Sequence, residues 1–315
     1  VKTDVIYAML FSQITFDQAC PTNRFLEEMS RCVPWNLFET EIKRHIVRKT
    51  GGRPAYPLML LFRMHLLKTW YGLSDEQCEF QCRDSLSFKR FLGLNIEASV
   101  PDATTLENFR HDFEPIAKTV FLKLDKLFEQ QGVFISPGNI VDASFIQANS
   151  RAHKDPEQNS DQDADHGHKG FGYNTTINLH SDSKLIRRIE TESNRAHDSQ
   201  HLEKVLVGTE RVVYGDSGYQ GCQEALIKRG CKARIVKRRQ RGKKGEPTPD
   251  LPLRDKYMNR LIVKTRVRVE HPFACFKSVF KVARTAYRGL ERVSSQLVSV
   301  AMAYNLRRFG FLARG

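Results

Sequence analysis

The sequence predicts an α/β protein, a mixed sheet flanked by helices and preceded by an all-helical amino-terminal region. Three observations predict it. Up to about residue 132 the chain is helical in pattern, with apolar periodic segments joined by tight turns. From Gly138 the pattern changes to short β-rich runs, first in succession and then alternating with helical stretches. Near the carboxyl end, two segments carry apolar faces at helical spacing, one around Glu270 and one over Ser294–Phe309. A length of 315 residues suffices for two domains, or for one large domain with a leader. The division falls between a helical region over 1–132 and an α/β region over 133–315.

Within the first region, Pro57–Trp70 reads as an apolar-rich helix that Gly72 breaks. Ser74 with Gln77 makes a capping-box signature for the next helix. Another turn leads into Ser85–Leu92, and Asp102 stands where a cap is needed for the helix holding Phe109 and Phe113. Such short helices allow two readings, a helix-turn-helix that reads DNA or an ordinary helical bundle.

The second region opens with a strand over Asn139–Phe145, after the turn at Pro137–Gly138. FGYNTTINLHSD and KLIRRIETES read as a β-hairpin joined at Ser181–Ser183. A helix over Ser199–Val207, a strand over Arg211–Gly215, a helix over Gln220–Lys228 and a strand over Cys231–Val236 follow. The Glu270 helix and the closing helix complete the order.

Three acids stand out against this plan. Asp142 lies inside the strand string GNIVDASFIQ. Asp216 lies in RVVYGDSGYQG, where a β-branched run ends in a glycine-rich turn that can bring backbone close to a carboxylate. Either aspartate alone is equally the pattern of a turn former or a helix cap. Glu270 sits in RVRVEHPFACFK. Read as one helix, that string returns Arg266, Glu270 and Lys277 to a single face, beside a stripe of Val269, Phe273, Phe276 and Phe280. Solvated charge pairs make similar patterns. The strand–strand–helix order of the three acids instead suggests a carboxylate triad for metal-assisted phosphoryl transfer.

The charge balance points to a polyanionic partner. Lys and Arg number 50 against 36 Asp and Glu, a formal net charge of +14. The string KARIVKRRQRGKK, Lys232 to Lys244, holds eight basic residues and no acid. Its members Lys237, Arg238, Arg239, Arg241, Lys243 and Lys244 are candidate DNA contacts on a glycine- and proline-bearing loop near 237–255. A solvated linker is the other reading of the run. Neither a signal peptide nor an apolar span of membrane length is apparent, so a membrane partner is not expected. The seven cysteines form no CxxC pair, which favours core thiols in a reducing cytoplasm. His166 and His168, in NSDQDADHGHKG, are read as part of a solvated loop between two core strands, with metal binding as the alternative.

The chain resembles a DDE transposase of the insertion-sequence-five family, which has a ribonuclease-H-like catalytic core. The resemblance rests on IVDAS around Asp142, HDSQ from His197, GDSGYQG around Asp216, RVEHPF from Arg268 and AYNLRR over Ala303–Arg308. YPLMLLFRMHLLKTWYGLSDEQ and DSLSFKRFLGL extend it over the helical leader. Two positions depart from the family's pattern. Val263 stands where a tyrosine belongs, and Asn174 where a lysine follows the tyrosine. The resemblance implies that Asp142, Asp216 and Glu270 hold magnesium, or manganese in its place. It makes Arg266 and Lys277 phosphate contacts at the catalytic site. DNA is the implied partner, as terminal inverted repeats and target DNA, with a homodimer or higher homo-oligomer assembled on it. The implied reaction frees a 3′-hydroxyl at each element end and joins it to target DNA, in the bacterial cytoplasm at the nucleoid. A noncatalytic DNA-binding derivative and a nuclease of the same fold remain as alternatives.

Overall fold

The computed structural model describes residues 23–47, 54–134, 136–153, 155–167, 169–194, 198–239 and 249–314. Cys20, His168, His197, Arg241, Lys243 and Lys244 lie outside the described residues. Two units are distinguished, one of residues up to Val120 together with Leu306–Gly315 and one of Phe121–Asn305. Among the described residues no helix is long and apolar enough to cross a membrane.

Capping chemistry punctuates the amino-terminal helices where the sequence predicts it. Helices α1 (Arg24–Cys32), α2 (Trp35–His45) and α3 (Leu58–Tyr71) come first. Gly72 ends α3 in the left-handed conformation, at φ 60°. The capping box of Ser74 and Gln77 is formed at the start of α4 (Asp75–Asp84). Ser85 caps α5 (Leu86–Leu92). The Asp102 carboxylate accepts from the Thr105 N–H at 2.7 Å, at the start of α6 (Ala103–Gln130). Asp75 then ties three helices together, accepting from Lys68 at 2.6 Å and from Arg110 at 2.7 Å. Burial works against its charge, yet Lys68 and Arg110 hold its pKa below the usual range. Cys78 and Cys82 are buried in α4, and the neighbouring Cys82 and burial push the Cys78 thiol up, as core thiols behave.

The second unit is built on a six-stranded mixed sheet. Its strands are β1 (Gly138–Gln147), β2 (Asp165–Gly167), β3 (Gly170–His180), β4 (Ile186–Ser193), β5 (Val212–Gly215) and β6 (Lys232–Ile235). β1 is central, antiparallel to β3 and parallel to β5; β3 and β4 form the predicted hairpin, and β6 extends β5 in parallel. This order, β4-β3-β1-β5-β6, is the ribonuclease-H-like one. On one face, Val141, Val213 and Ile235 pack with Leu202 and Val205 of α7 (Asp198–Val205) and with Leu226 of α8 (Gln223–Lys228). Buried amides lock the entry to β5: Asn139 donates to Asn178, and Asn178 donates to Glu210 and to the Val205 carbonyl.

Two segments differ from expectation. The NSDQDADHGHKG stretch is not a free loop, because part of it pairs as β2 with β3. Its Asp161 accepts from the Tyr173 hydroxyl at 2.7 Å, and its Asp163 caps the closing helix α11 (Leu290–Leu312) at the Leu290 N–H, also 2.7 Å away. The Glu270 segment is not one uniform helix. α9 (Leu253–Arg266) passes into a 3₁₀ turn over Val267–Val269, then into α10 (Glu270–Ala274) and a π turn over Cys275–Val279. Its stripe is nevertheless buried as read, with Val269, Phe273, Phe276 and Phe280 all in the core.

His65 of α3 is buried between Phe109 and Phe113, and neither ring nitrogen has a hydrogen-bond partner among the described residues. Burial, with Lys68 and Arg110 adding to it, lowers its pKa to about 3 from 6.5. The unfolded chain therefore takes up a proton below about pH 6.5 that the folded chain refuses, so stability falls as pH drops from there toward 3. The slope approaches about 1.4 kcal/mol per pH unit. Replacing His65 by Leu is expected to flatten that part of a stability–pH profile measured by denaturant unfolding. An unchanged profile would show that other groups set the acid limit.

Candidate active site

The parallel pairing of β1 and β5 places two of the three acids side by side. Ile140 lies opposite Tyr214, and two residues further on each strand come Asp142 and Asp216. Side chains alternate along a strand. Val141 enters the core with α7, so Asp142 faces the other side, where α9 brings Arg266. The glycines beside Asp216 lie close against neighbouring side chains. A Cβ on Gly215 would stand 2.8 Å from Ile235 Cδ1, and one on Gly218 would stand 2.9 Å from Asp216 Oδ1. The Asp216 carboxylate caps the following 3₁₀ turn, accepting from the Gly218 N–H at 2.7 Å. It is thus both a helix cap, as the plainer reading of the sequence had it, and a neighbour of Asp142.

The electrostatics of the pair are unbalanced. The Asp142 side chain is 16% exposed, and Arg266 Nη2 approaches its two oxygens at 3.5 and 3.4 Å. Charge-assisted bonds of this type are ordinarily about 2.7–2.9 Å. Burial raises the Asp142 pKa; Arg266 opposes the rise and the Asp216 charge adds to it. Arg266 Nε is itself buried without a hydrogen-bond partner among the described residues. One guanidinium held at long range thus partly offsets two neighbouring carboxylates.

Glu270 stands outside this group. Its side chain is exposed, and among the described residues no three His, Cys, Asp or Glu side chains gather into a metal-holding cluster. The winding supplies a reason. A uniform helix advances about 100° per residue and returns Glu270 near the azimuth of Arg266, but a 3₁₀ turn advances about 120° and carries it onward. Two anchors fix this arrangement from residues flanking Glu270. Arg268 donates to the Ser181 carbonyl at 2.9 Å and pairs with Asp182 at 2.6 Å. His271 Nδ1 meets the Tyr304 hydroxyl at 2.9 Å, and that hydroxyl donates to the Lys184 carbonyl at 2.9 Å. Sequence reading missed these anchors because their partners are distant in the chain and no local spacing signals them.

Of the basic run, Lys237, Arg238 and Arg239 are described. Lys237 pairs with Asp255 of α9 at 2.8 Å, and Arg239 pairs with Asp250 at 2.5 Å. Arg238 donates to the hydroxyl of Ser217, the residue after Asp216, so the run begins beside the acid pair. Lys277 is half-buried, and no ion pair to it is formed among the described residues. Val263, at the position of the absent tyrosine, is 42% exposed on α9. Asn174 lies on β3 opposite Phe145.

Asp142 and Asp216 fit a hard divalent cation. They are adjacent oxygen donors, one of them mostly buried, with Arg266 as a loosely held counter-charge. Residues 134–306 match the family model described as a transposase DDE domain, and residues 14–112 match the one described as a transposase domain of the DUF772 type. Among solved structures, a piggyBac transposase synaptic complex with hairpin DNA is similar at a TM-score of 0.46 and 12% identity, over 92% of this chain and 74% of that one.

Arg266→Ala is expected to leave the acid pair unneutralised. The loss should fall between the roughly 1 kcal/mol of an exposed ion pair and the roughly 3–5 kcal/mol of a buried one. Added magnesium should then raise the melting temperature of the variant more than that of the parent. Equal magnesium increments in both proteins would show that the guanidinium is not the counter-charge of the metal-free site.

Proposed function

Because this chain belongs to the transposase DDE domain family, we propose that it is an active DNA transposase of the insertion-sequence-five type. In this reading it binds the ends of an insertion sequence, cleaves phosphodiester bonds to free 3′-hydroxyls, and joins them to target DNA. The observation that carries the reading is the pairing of Asp142, in β1, with Asp216, just past the end of the adjacent parallel β5, where burial raises the Asp142 pKa and one arginine faces it.

Asp142 and Asp216 would hold magnesium, or manganese in its place, with Glu270 as the third carboxylate. Such ions, when bound, activate the attacking oxygen and stabilise the leaving one across a phosphodiester. Asp142 and Asp216 orient that centre from a rigid sheet edge. Arg266 turns from Asp142 to a phosphate oxygen as the counter-charge is replaced. Glu270 comes toward the pair when the turn at Val267–Val269 relaxes from 3₁₀ to α winding. The amino-terminal helices would recognise the terminal repeats, and a homodimer or higher homo-oligomer would hold both ends on the DNA, at the nucleoid in the cytoplasm. The exposed position of Glu270 favours one second reading, a noncatalytic DNA-binding derivative.

Asp142→Asn separates the two. On the catalytic reading this variant binds DNA as the parent does and fails to cleave it in magnesium, because the shape is kept and a ligand charge is lost. Normal cleavage by the variant would remove Asp142 from the site, and an inactive parent protein would favour the derivative.

The basic run yields a graded expectation. Lys237 and Arg239 already have carboxylate partners, whereas Arg238 is joined to a neutral hydroxyl beside the acids. Arg238→Ala should therefore reduce the log–log salt slope of DNA binding by close to one unit, similarly for every sequence. Lys237→Ala should reduce it less. A loss confined to one sequence would contradict the electrostatic role.

A further inference from the structure

Helix α9 has two opposed faces, and the contacts found among the described residues fall on one of them. At about 100° per residue, Asp255, Asn259, Ile262 and Arg266 lie on the same side. Asp255 pairs there with Lys237, Asn259 binds the Lys237 backbone, Ile262 is buried, and Arg266 reaches Asp142. The side turned the other way carries Leu253, Tyr257, Arg260 and Lys264, with Arg254 and Leu261 on its flank. Leu253 is 84% exposed and Tyr257 62%, and Leu261 is exposed as well. Apolar and cationic residues interleave on this face. Leu253 with Arg260, Tyr257 with Lys264 and Arg254 with Leu261 are each seven residues apart, so each pair lies along a single line.

A single exposed leucine or a few surface cations would need no explanation. The combination on α9 is narrower. No ion pair to Arg254, Arg260 or Lys264 is formed among the described residues, and the acid of the helix, Asp255, is on the opposite side. An anion is therefore the complementary partner. A second copy of the chain meeting this face with its own would set like charges against like. Duplex DNA would satisfy the cations through its phosphates but would leave the ring and the leucines against sugar and phosphate. An unpaired strand satisfies both, because its phosphates meet the cations and its bases offer flat apolar faces to an aromatic ring.

We propose that this face of α9 is a platform for unpaired DNA, with Tyr257 stacked on a base and Arg254, Arg260 and Lys264 on the flanking phosphates. The proposal rests on the transposase reading for the source of its strand. Tyr257 precedes Arg266 by nine residues, roughly 13 Å along the helix axis. The strand held is therefore one that passes the acid pair within a few nucleotides. Leu253 and Leu261, one turn to either side of Tyr257, widen the apolar surface for the neighbouring bases. Stacking of this kind reads no sequence, since every base has a π-face. The platform positions a strand and leaves the choice of site to other parts of the chain.

The test uses the full chain without added metal and a mixed-sequence oligonucleotide, as a single strand and as its duplex, with binding measured across a salt series. Tyr257→Ala should weaken single-strand binding roughly five- to a hundredfold, with its salt slope unchanged and duplex binding close to the parent's. Tyr257→Phe should retain binding, because the ring and not the hydroxyl stacks. Arg260→Ala and Lys264→Ala should each lower the single-strand salt slope by about 0.7. Parent-like single-strand binding by Tyr257→Ala, or equal losses on single strand and duplex, would overturn the platform. So would a Tyr257→Ala variant that keeps its DNA affinity but changes its sedimentation, or that loses only its binding to phosphatidylserine vesicles, since the face would then serve a second copy or a membrane surface. A chain that holds single strands through Tyr257 yet leaves insertion-sequence ends uncut in magnesium would sink the transposase reading and keep the platform. Cleavage of those ends by a parent whose single-strand binding ignores Tyr257 would do the reverse.

Discussion

Parallel pairing of β1 with β5 is the constraint on which the site depends, because it forces two carboxylates to share one edge. Asp142 and Asp216 follow the Ile140–Tyr214 rung by equal steps, Asp142 within β1 and Asp216 just past the end of β5. Like charges this close are stable only with a cation near them. Arg266 supplies that cation in part, at a distance too long for a strong bond. The surrounding choices follow from the same constraint. Gly215 admits the Ile235 and Tyr219 side chains, Gly218 admits the Asp216 carboxylate, and Val141 commits the opposite side of β1 to the core. The buried Asn139–Asn178–Glu210 network holds the segment entering β5 where the pairing needs it.

The helical stretch over 253–279 links this edge to the rest of the second unit. One side of it is buried through Ile262, Val269, Phe273 and Phe276. Arg266 reaches the acids, while Arg268 and His271 reach the β3–β4 turn, directly in one case and through Tyr304 in the other. The same strand end therefore receives contacts from both sides of Glu270. The Arg268 anchor lies inside the 3₁₀ turn, so a change of winding between Arg266 and Glu270 requires that contact to give way, and mid-helix 3₁₀ turns frequently mark hinges. The basic run is tied to the start of α9 as well, by Lys237 to Asp255 and by Asn259 to the Lys237 backbone. The start of the basic run and the acid pair are thus both tied to one element.

The helical unit shows the same economy in a different setting. Asp75 draws Lys68 and Arg110 into one partly buried group, and the uncharged His65 lies next to it among aromatic rings. A neutral imidazole is tolerated there because its two cationic neighbours and its burial oppose protonation together.

Local chemistry was legible in the sequence. The capping box at Ser74, the cap at Asp102, the hairpin about Ser181–Ser183, the strand holding Asp142 and the buried Val269–Phe273–Phe276–Phe280 stripe all follow from spacings within a few residues. The ribonuclease-H-like core that the resemblance implies has the Asp142 strand at its centre, and the sheet pairing puts Asp216 beside it. Tertiary structure decided the remainder. The aspartates of the 159–170 stretch became helix and hydroxyl partners, because Gly289, Leu290 and Tyr173 offered donors that no local pattern announces. Glu270 lies outside the acid pair because an ideal period of 3.6 residues assumes uniform winding, and the anchors at Ser181, Asp182 and Lys184 accompany a 3₁₀ turn there. Periodicity reports which face a residue occupies along its own element. Which elements meet, and at what register, is set by hydrogen bonds between segments that a one-dimensional pattern does not contain.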